Sequence, residues 1–327
     1  MSEIRKETVC GVVVTFNRKE LLKDCLKALI EQTRPLDAIL IVDNASTDNT
    51  QQALLEWGYI QELPPEKIWE PYEAEFVTKI KNVKNENVKV IYVRMHENTG
   101  GAGGFHVGQK CAFEQGYEWI WLMDDDGFPV EDCLSKLLEK NVRKNLKASN
   151  PLVIDKENCD VLSFGLSKDL MTVQSAINAS IDEIILNKAN PFNGTLIHYD
   201  LIKDAGFIKK EMFIWGDETE YFKRLSSIGY EFATVTTALF YHPASKTIYS
   251  EKLFGLFKMA KKPEKLEMNF YRNQGYLNMK YGSIFSHRIA AKNFIFFLLD
   301  GEFKKAFLSL AYYKDGMLNK YKLKNLR

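Results

Sequence analysis

The sequence predicts an α/β protein with a mostly parallel central sheet and a C-terminal helical appendage. Three features predict it. Val9–Val14 is a continuous apolar, β-branched run, the pattern of a central parallel strand covered on both faces. A helix-period segment follows, with Leu22, Leu26, Leu29 and Ile30 on one face, and a second apolar run at Ala38–Val42. Finally, apolar runs end in polar clusters, Thr15-Phe16-Asn17-Arg18 and Asp43-Asn44-Ala45-Ser46-Thr47-Asp48, where open α/β sheets bind their ligands.

The first helix covers about Lys19 to Glu31, and Pro35 blocks its continuation. Ser46 or Thr47 is expected to cap a helix over Asp48–Trp57. Residues 58–87 read as irregular, because Pro64, Pro65 and Pro71 interrupt them. Val88–Val93 is the third strand. The glycine run 100–104 reads as a loop opening a helix from Phe105 to Gly116. Trp119–Met123 is a buried strand, and Pro129 starts a helix to about Asn141. Lys140–Lys147 reads as solvated surface, Val161–Phe164 as a short strand and Ser175–Lys188 as a helix. Pro191–Ile197 is a turn entering a strand, and Leu201–Ala205 a short helix ended by Gly206. A helix begins at Asp217 and runs to Ile228, and Glu231–Val235 and Ala238–Tyr241 are the last strands.

With 327 residues, the chain exceeds the size at which one core stops growing, so a domain over 1–245 and a smaller helical region over 246–327 are expected. A net charge of +1 gives no sign of nucleic-acid binding. The five cysteines have no metal-ligand spacing and suit a reducing compartment. The charged N-terminus and the lack of a spanning apolar stretch place the protein in the cytoplasm. From residue 250 on, Phe, Tyr and Leu interleave with Lys, and Lys314–Arg327 is basic. Such faces suit the anionic inner face of the cell membrane, or packing within a homo-oligomer.

Asp124, Asp125 and Asp126 follow the apolar strand and are eased into a turn by Gly127. Asp124 and Asp126 are spaced to share a hard divalent ion, Mn²⁺ or Mg²⁺, which leaves sites for substrate phosphates. An acidic surface turn is the plainer alternative. Thr15 and Asp43 end neighbouring strands. Asp43 suits a ring nitrogen or ribose hydroxyl, and Arg18 a phosphate. The N-terminus of the helix after Asn98 and Gly100–Gly104 suits a phosphate as well. No Gly-x-Gly-x-x-Gly turn follows the first strand, which argues against nicotinamide and flavin. Asp217 and Glu218 open a helix, where carboxylates cap N–H groups or serve as a general base. His242 leaves the last strand, where a neutral imidazole can complete a metal shell.

These motifs, in this order, resemble an inverting nucleotide-sugar glycosyltransferase of family 2 with the GT-A fold. The likeness is greatest to the galactofuranosyl- and rhamnosyltransferase branch of bacterial surface-polysaccharide synthesis, and it covers about residues 8–245. It implies a nucleotide-binding set of Thr15, Phe16, Arg18, Asp43, Asn98, Gly100, Gly103, Gly104, Asp124 and Asp125. It also implies metal ligands Asp124, Asp126 and His242, and a base at Glu218 or Asp217. Phe192-Asn193-Gly194 resembles the floor of the acceptor side. The implied donor is a UDP-sugar, galactofuranose first and dTDP-rhamnose second. The implied acceptor is a glycan on a polyprenyl diphosphate. A sugar nucleotidyltransferase would want a glycine- and lysine/arginine-rich first loop, which Thr15–Arg18 is not. A non-catalytic glycan-binding protein would have no use for the acids and His242 together.

Overall fold

A computed structural model describes residues 7–189, 192–244, 248–252 and 257–321. The chain divides into two compact units, Met1–Ile208 with Arg224–Ser245, and Lys209–Lys223 with Lys246–Arg327. The segment 209–223 thus groups with the C-terminal region rather than with the sequence around it.

In the first unit the strands are β1 (Val9–Thr15), β2 (Ala38–Asp43), β3 (Tyr72–Lys81), β4 (Asn87–Arg94), β5 (Trp119–Asp124), β6 (Phe128–Pro129), β7 (Ala148–Asp155), β8 (Ile184–Leu186), β9 (Thr195–His198) and β10 (Ala233–His242). The helices are α1 (Lys19–Ile30), α2 (Thr50–Glu56), α3 (Gly100–Glu114), α4 (Cys133–Lys144), α5 (Val173–Ala179) and α6 (Tyr199–Ala205). α7 (Asp217–Ser227) runs across the chain position where the two units divide. The described strands form one sheet in the order β3-β4-β2-β1-β5-β9-β7-β10-β6, with β8 also on β10. Strands β4, β2, β1 and β5 are mutually parallel, and β7 is parallel to β10. β3, β9, β6 and β8 run antiparallel to their neighbours. Connections reverse direction between β1 and β5, which makes their carboxyl ends the topological switch point.

Both faces of β1 are covered. Leu22, Leu26 and Leu29 of α1 pack in one core with Val9, Val13, Ile39 and Ile41. On the other face α3 lies close, and its glycines explain how. A Cβ on Gly104 would sit 2.5 Å from Val14 Cγ1, and one on Gly108 would collide with Val12. The glycine run is therefore not a loop before the helix but its opening residues. Close helix–strand packing outweighs the low helix propensity of glycine.

Several other expectations change. β3 pairs along β4 in the stretch read as irregular, because β4 offers it an edge that the prolines upstream do not block. Pro129 belongs to β6, and α4 starts at Cys133. Lys140 is buried in the run expected to be solvated, while residues 142–145 are exposed as expected. Val161 and Leu162 make only isolated bridges. The two last strands are one, β10, with its register to β7 shifted between Val235 and Leu239. Asn49, in a left-handed conformation, precedes α2 without a side-chain cap, while Ser46 and Thr47 bond elsewhere.

The second unit contains β11 (Tyr249–Lys252), β12 (Phe257–Ala260), α8 (Glu267–Tyr281), α9 (Arg288–Leu299) and α10 (Phe303–Met317). β11 and β12 form an antiparallel hairpin in a stretch expected to be helical. Its Leu253, Phe254 and Leu256 lie outside the described residues, as do Pro191 and the basic Lys322, Lys324 and Arg327. α8 and α10 touch backbone to backbone, since a Cβ on Gly275 would strike the Tyr313 carbonyl and one on Gly316 the Arg272 carbonyl. Met268, Tyr271, Phe297 and Ala306 form the core of this unit. Among the described residues, no helix is long and apolar enough to cross a membrane.

The glycines of α3 offer a direct check. Gly104→Val should destabilise the protein by at least about 1–3 kcal/mol through overpacking against Val14. Gly101→Ala, whose Cβ would meet nothing within 4 Å, should be neutral or add about 0.5–1 kcal/mol. Urea unfolding of the two variants measures both.

Candidate active site

The site begins where β1, β2 and β5 end. Register places Thr15 beside Asp43 and Val14 beside Asp124, so the acidic triplet leaves the sheet at the switch point. Each aspartate then takes a different course. Asp125 turns back over β1 and is buried. It accepts from the Thr15 hydroxyl at 2.7 Å, from the Phe16 amide at 3.4 Å and from Arg18 Nη1 at 3.1 Å. Burial pushes its carboxyl up to about 6, held back by Arg18 and the Thr15 hydrogen bond. Arg18 also pairs with Asp126. Asp124 ends β5. Burial, and then the charges of Asp126 and Asp125, push it up to about 8.

Asp126 is brought to His242 by a backbone approach that only Gly127 permits. β6 pairs antiparallel with the end of β10, Tyr241 opposite Phe128. A Cβ on Gly127 would meet the Tyr241 carbonyl at 2.8 Å and collide with the Phe240 ring. As a result His242 Nε2 lies 3.1 Å from Asp126 Oδ1. Burial disfavours charge on both, yet their mutual attraction prevails, so the Asp126 pKa is lowered and that of His242 raised. His242 Nδ1 is 2.7 Å from the Pro243 carbonyl. A carbonyl only accepts, so Nδ1 carries a proton and Nε2 is the nitrogen turned toward Asp126. This is the usual orientation of a metal-ligating histidine.

No group of three His, Cys, Asp or Glu able to hold a metal forms among the described residues. The arrangement fits a divalent ion in a narrower sense. Asp126 Oδ1 is buried and has the oriented imidazole of His242 3.1 Å away as its partner, two neighbouring donors that could face one ion. Mg²⁺ and Mn²⁺ in phosphate sites take one or two protein donors and complete their shell with water and phosphate oxygens.

Asp43 is fully buried, and its oxygens are engaged by the protein. Arg94 Nη1 lies 2.8 Å from Oδ1, the Tyr92 hydroxyl donates to Oδ2 at 3.1 Å and the Ser46 amide to Oδ1 at 2.9 Å. Next to it, Asn44 donates to the Asn98 side chain at 3.1 Å and to the Gly100 carbonyl at 2.9 Å. Asn44 also accepts from the Thr99 amide at 2.9 Å, and Asn98 from the Gly100 amide at 2.8 Å. This network fixes the entry to α3, where Gly100 has φ 70°. Gly103 lies in the next turn, beneath the Thr99 side chain. Tyr92, Arg94 and Asn44 were missed at the sequence level. An acid ending a parallel strand next to one that ends in Arg94 is the signal that could have found them. Phe16 is partly exposed beside the acids. Phe192 packs on Phe105 with ring centroids 4.9 Å apart, and the Gly194 carbonyl accepts from the Trp121 indole at 2.8 Å.

In the second unit, Asp217, Glu218 and Glu220 open α7. Asp217 is buried, and Glu218 Oε2 accepts from the Gly216 amide at 3.3 Å. Glu220 is buried too, and accepts from the Tyr281 hydroxyl at 2.8 Å and Lys280 at 3.3 Å. Arg224 donates to the carbonyls of Ala205 and Phe207.

Acids and a histidine thus gather at the switch point of the sheet. The family profile described as "Glycosyl transferase family 2" matches residues 10–63 and 73–186. The chain belongs to this family and is a glycosyltransferase. It is 32% identical over 279 residues to galactofuranosyltransferase GlfT1 of Mycolicibacterium smegmatis, covering 83% of each chain. Its identity to GlfT1 of Mycobacterium tuberculosis is 29% over 277 residues, 83% of this chain and 82% of that one. In fold it is similar to S. aureus TarS 1–349, with TM-score 0.50, 14% identity, and coverage of 97% of this chain and 75% of that one. It is also similar to TarS 1–349 in complex with UDP, with TM-score 0.51, 12% identity, and coverage of 96% and 90%.

The Asp43 cluster yields a stability test. Asp43→Ala strands Arg94, whose side chain is only 15% exposed, and should cost about 3–5 kcal/mol in urea unfolding. Arg143→Ala breaks an exposed helix pair with Glu139 and should cost less than about 1 kcal/mol.

Proposed function

We propose that the enzyme transfers galactofuranose from its UDP donor to a hydroxyl of a lipid-linked glycan, with inversion at the anomeric carbon. The observation that carries this reading is the 32% identity to a galactofuranosyltransferase across 83% of both chains. The UDP complex of TarS, a fold relative, supports the choice of nucleotide. Transfer of rhamnose from a dTDP donor is the second reading, from the resemblance of the motifs.

In this reading the ends of β1, β2 and β4 form the nucleotide side. Thr15, Phe16 and Asp43 with Arg94 line it, and Arg18 is released from Asp125 and Asp126 to meet phosphate. Asn98, Gly100, Gly103 and Gly104 set the backbone of the α3 entry. Asp126 and His242, joined by Asp124, would hold Mn²⁺ or Mg²⁺, which supplies charge neutralisation for the departing diphosphate. Asp125 keeps the first loop in place through the Thr15 hydroxyl and the Phe16 amide. Glu218 takes the proton from the acceptor hydroxyl as that oxygen attacks the anomeric carbon in line with the leaving diphosphate. Asp217, adjacent on the helix, faces another way and caps or orients the segment. One base and one displacement suffice for inversion, with no covalent intermediate.

The acceptor would be a glycan on a polyprenyl diphosphate at the inner face of the membrane. Phe285, Phe303 and Phe307 are 64%, 63% and 65% exposed on the C-terminal helices and support contact with a bilayer surface. Homo-oligomer packing is the competing use of that surface. Co-sedimentation with anionic vesicles should fall at least severalfold in a Phe303→Glu/Phe307→Glu variant. Unchanged sedimentation would assign these rings to packing.

A panel of nucleotide sugars, assayed with Mn²⁺ and with excess chelator, tests the reaction. UDP-galactofuranose should give metal-dependent product, and dTDP-rhamnose little or none. Glu218→Gln should lose about 10²–10⁴-fold in rate with UDP affinity nearly intact. Asp217→Asn should lose less rate and about 0.5–2 kcal/mol of stability.

A further inference from the structure

The loop that delivers the acids of α7 is built against its own preferences. Phe213 has φ 65° and ψ −62°, Trp215 has φ 61°, and Gly216 has φ 107°. Left-handed conformations are uncommon for any residue with a Cβ and unfavourable for bulky aromatic ones. Two of them within three positions persist only where the surroundings over-determine them. Within the turn the Met212 carbonyl accepts from the Ile214 amide at 2.7 Å, and the buried carbonyls here take further donors from outside the turn.

One side chain supplies those donors. Asn273, buried in the middle of α8, directs its amide nitrogen at the carbonyls of Met212 at 2.8 Å, Ile214 at 3.0 Å and Trp215 at 2.9 Å. An amide nitrogen has two hydrogens, so three carbonyls share them, and no other part of the side chain can donate. Neighbouring contacts secure the same turn. A Cβ on Gly216 would meet Leu277 at 3.2 Å and Asn273 at 3.6 Å, and Lys262 sits 4.4 Å over the Trp215 ring. Two turns further along α8, Tyr281 and Lys280 hold Glu220. α8 itself is pinned to α10 through Gly275 and Gly316.

We propose that Asn273 is a positioning residue for the reaction. It clamps the 212–215 turn so that the carboxylates of Asp217 and Glu218 are presented at a fixed place and angle. The C-terminal helices are thereby part of the catalytic apparatus, whatever else their surface contacts. The proposal rests on the reading of Asp217–Glu218 as the base-bearing segment. The chemistry supports the role: a base must lie within hydrogen-bond reach of the hydroxyl it deprotonates, and a displacement of about 1 Å can cost roughly 10²-fold in rate.

The test uses the full chain with Asn273→Ala and Asn273→Ser, the latter keeping one donor. UDP affinity, melting temperature and the rate of UDP release from UDP-galactofuranose with an alkyl galactoside acceptor are measured per folded enzyme. The expected order of kcat is wild type, then Asn273→Ser, then Asn273→Ala. The last should lie about 10–100-fold below wild type, with UDP affinity within twofold and faster amide exchange confined to residues 213–218. If Asn273→Ala does not fold, Asn273→Ser alone decides. A folded variant with wild-type kcat overturns the clamp, as does a lower kcat that follows the folded fraction alone. Asp217→Asn and Glu218→Gln run alongside. Full rates in both overturn the base reading, whereas slow carboxylate variants beside a fast Asn273→Ser remove only the clamp.

Discussion

Three carboxylates in a row cannot all be charged beside one another in a half-buried turn unless each finds its own compensation. The site is organised around that constraint. Asp125 is given a hydroxyl, an amide and Arg18. Asp126 is given Arg18 and His242. Asp124 is left with the least, and its carboxyl is pushed up to about 8 by burial and by the other two acids. Two cations therefore face three acids, and in the proposed function a divalent ion bound with the diphosphate would supply the missing charge. The same ion would favour ionised Asp124 and neutral His242.

This compensation depends on backbone geometry more than on the acids themselves. Val14 beside Asp124, and Thr15 beside Asp43, follow from the parallel register of β1 with its two neighbours. The pairing of Asp126 with His242 follows from a two-residue strand and a glycine that lets it touch β10. α3 approaches β1 closely because Gly104 and Gly108 carry no side chain.

Much of this was legible in the sequence. The central strands announce themselves because residues covered on both faces are apolar without interruption. The polar clusters at their ends stand out for the same reason. Local pattern failed where tertiary contact outweighed it. The glycines of α3 look like a loop because propensity cannot register Val12 and Val14 on the facing strand. β3 has no central-strand pattern because an edge strand needs only one partner. Asp43 stands out in the sequence as an acid ending a strand, but its partners Arg94 and Tyr92 are remote in sequence and show only in the fold. Asn273 carries no motif at all. A buried asparagine in an aromatic helix has meaning only once the carbonyls it serves are in place.

The division of the chain gives the C-terminal helices a second significance. A segment inside the transferase sequence, 209–223, groups with them and brings Asp217 and Glu218 with it. The central claim is that the acids and His242 bind the diphosphate through a divalent ion. Calorimetric titration of UDP into the enzyme, with and without Mn²⁺, tests it most directly. The account predicts at least tenfold tighter binding with Mn²⁺ in the wild type and loss of that gain in His242→Ala. Equal UDP affinity with and without the ion, or a gain that survives in His242→Ala, would contradict it.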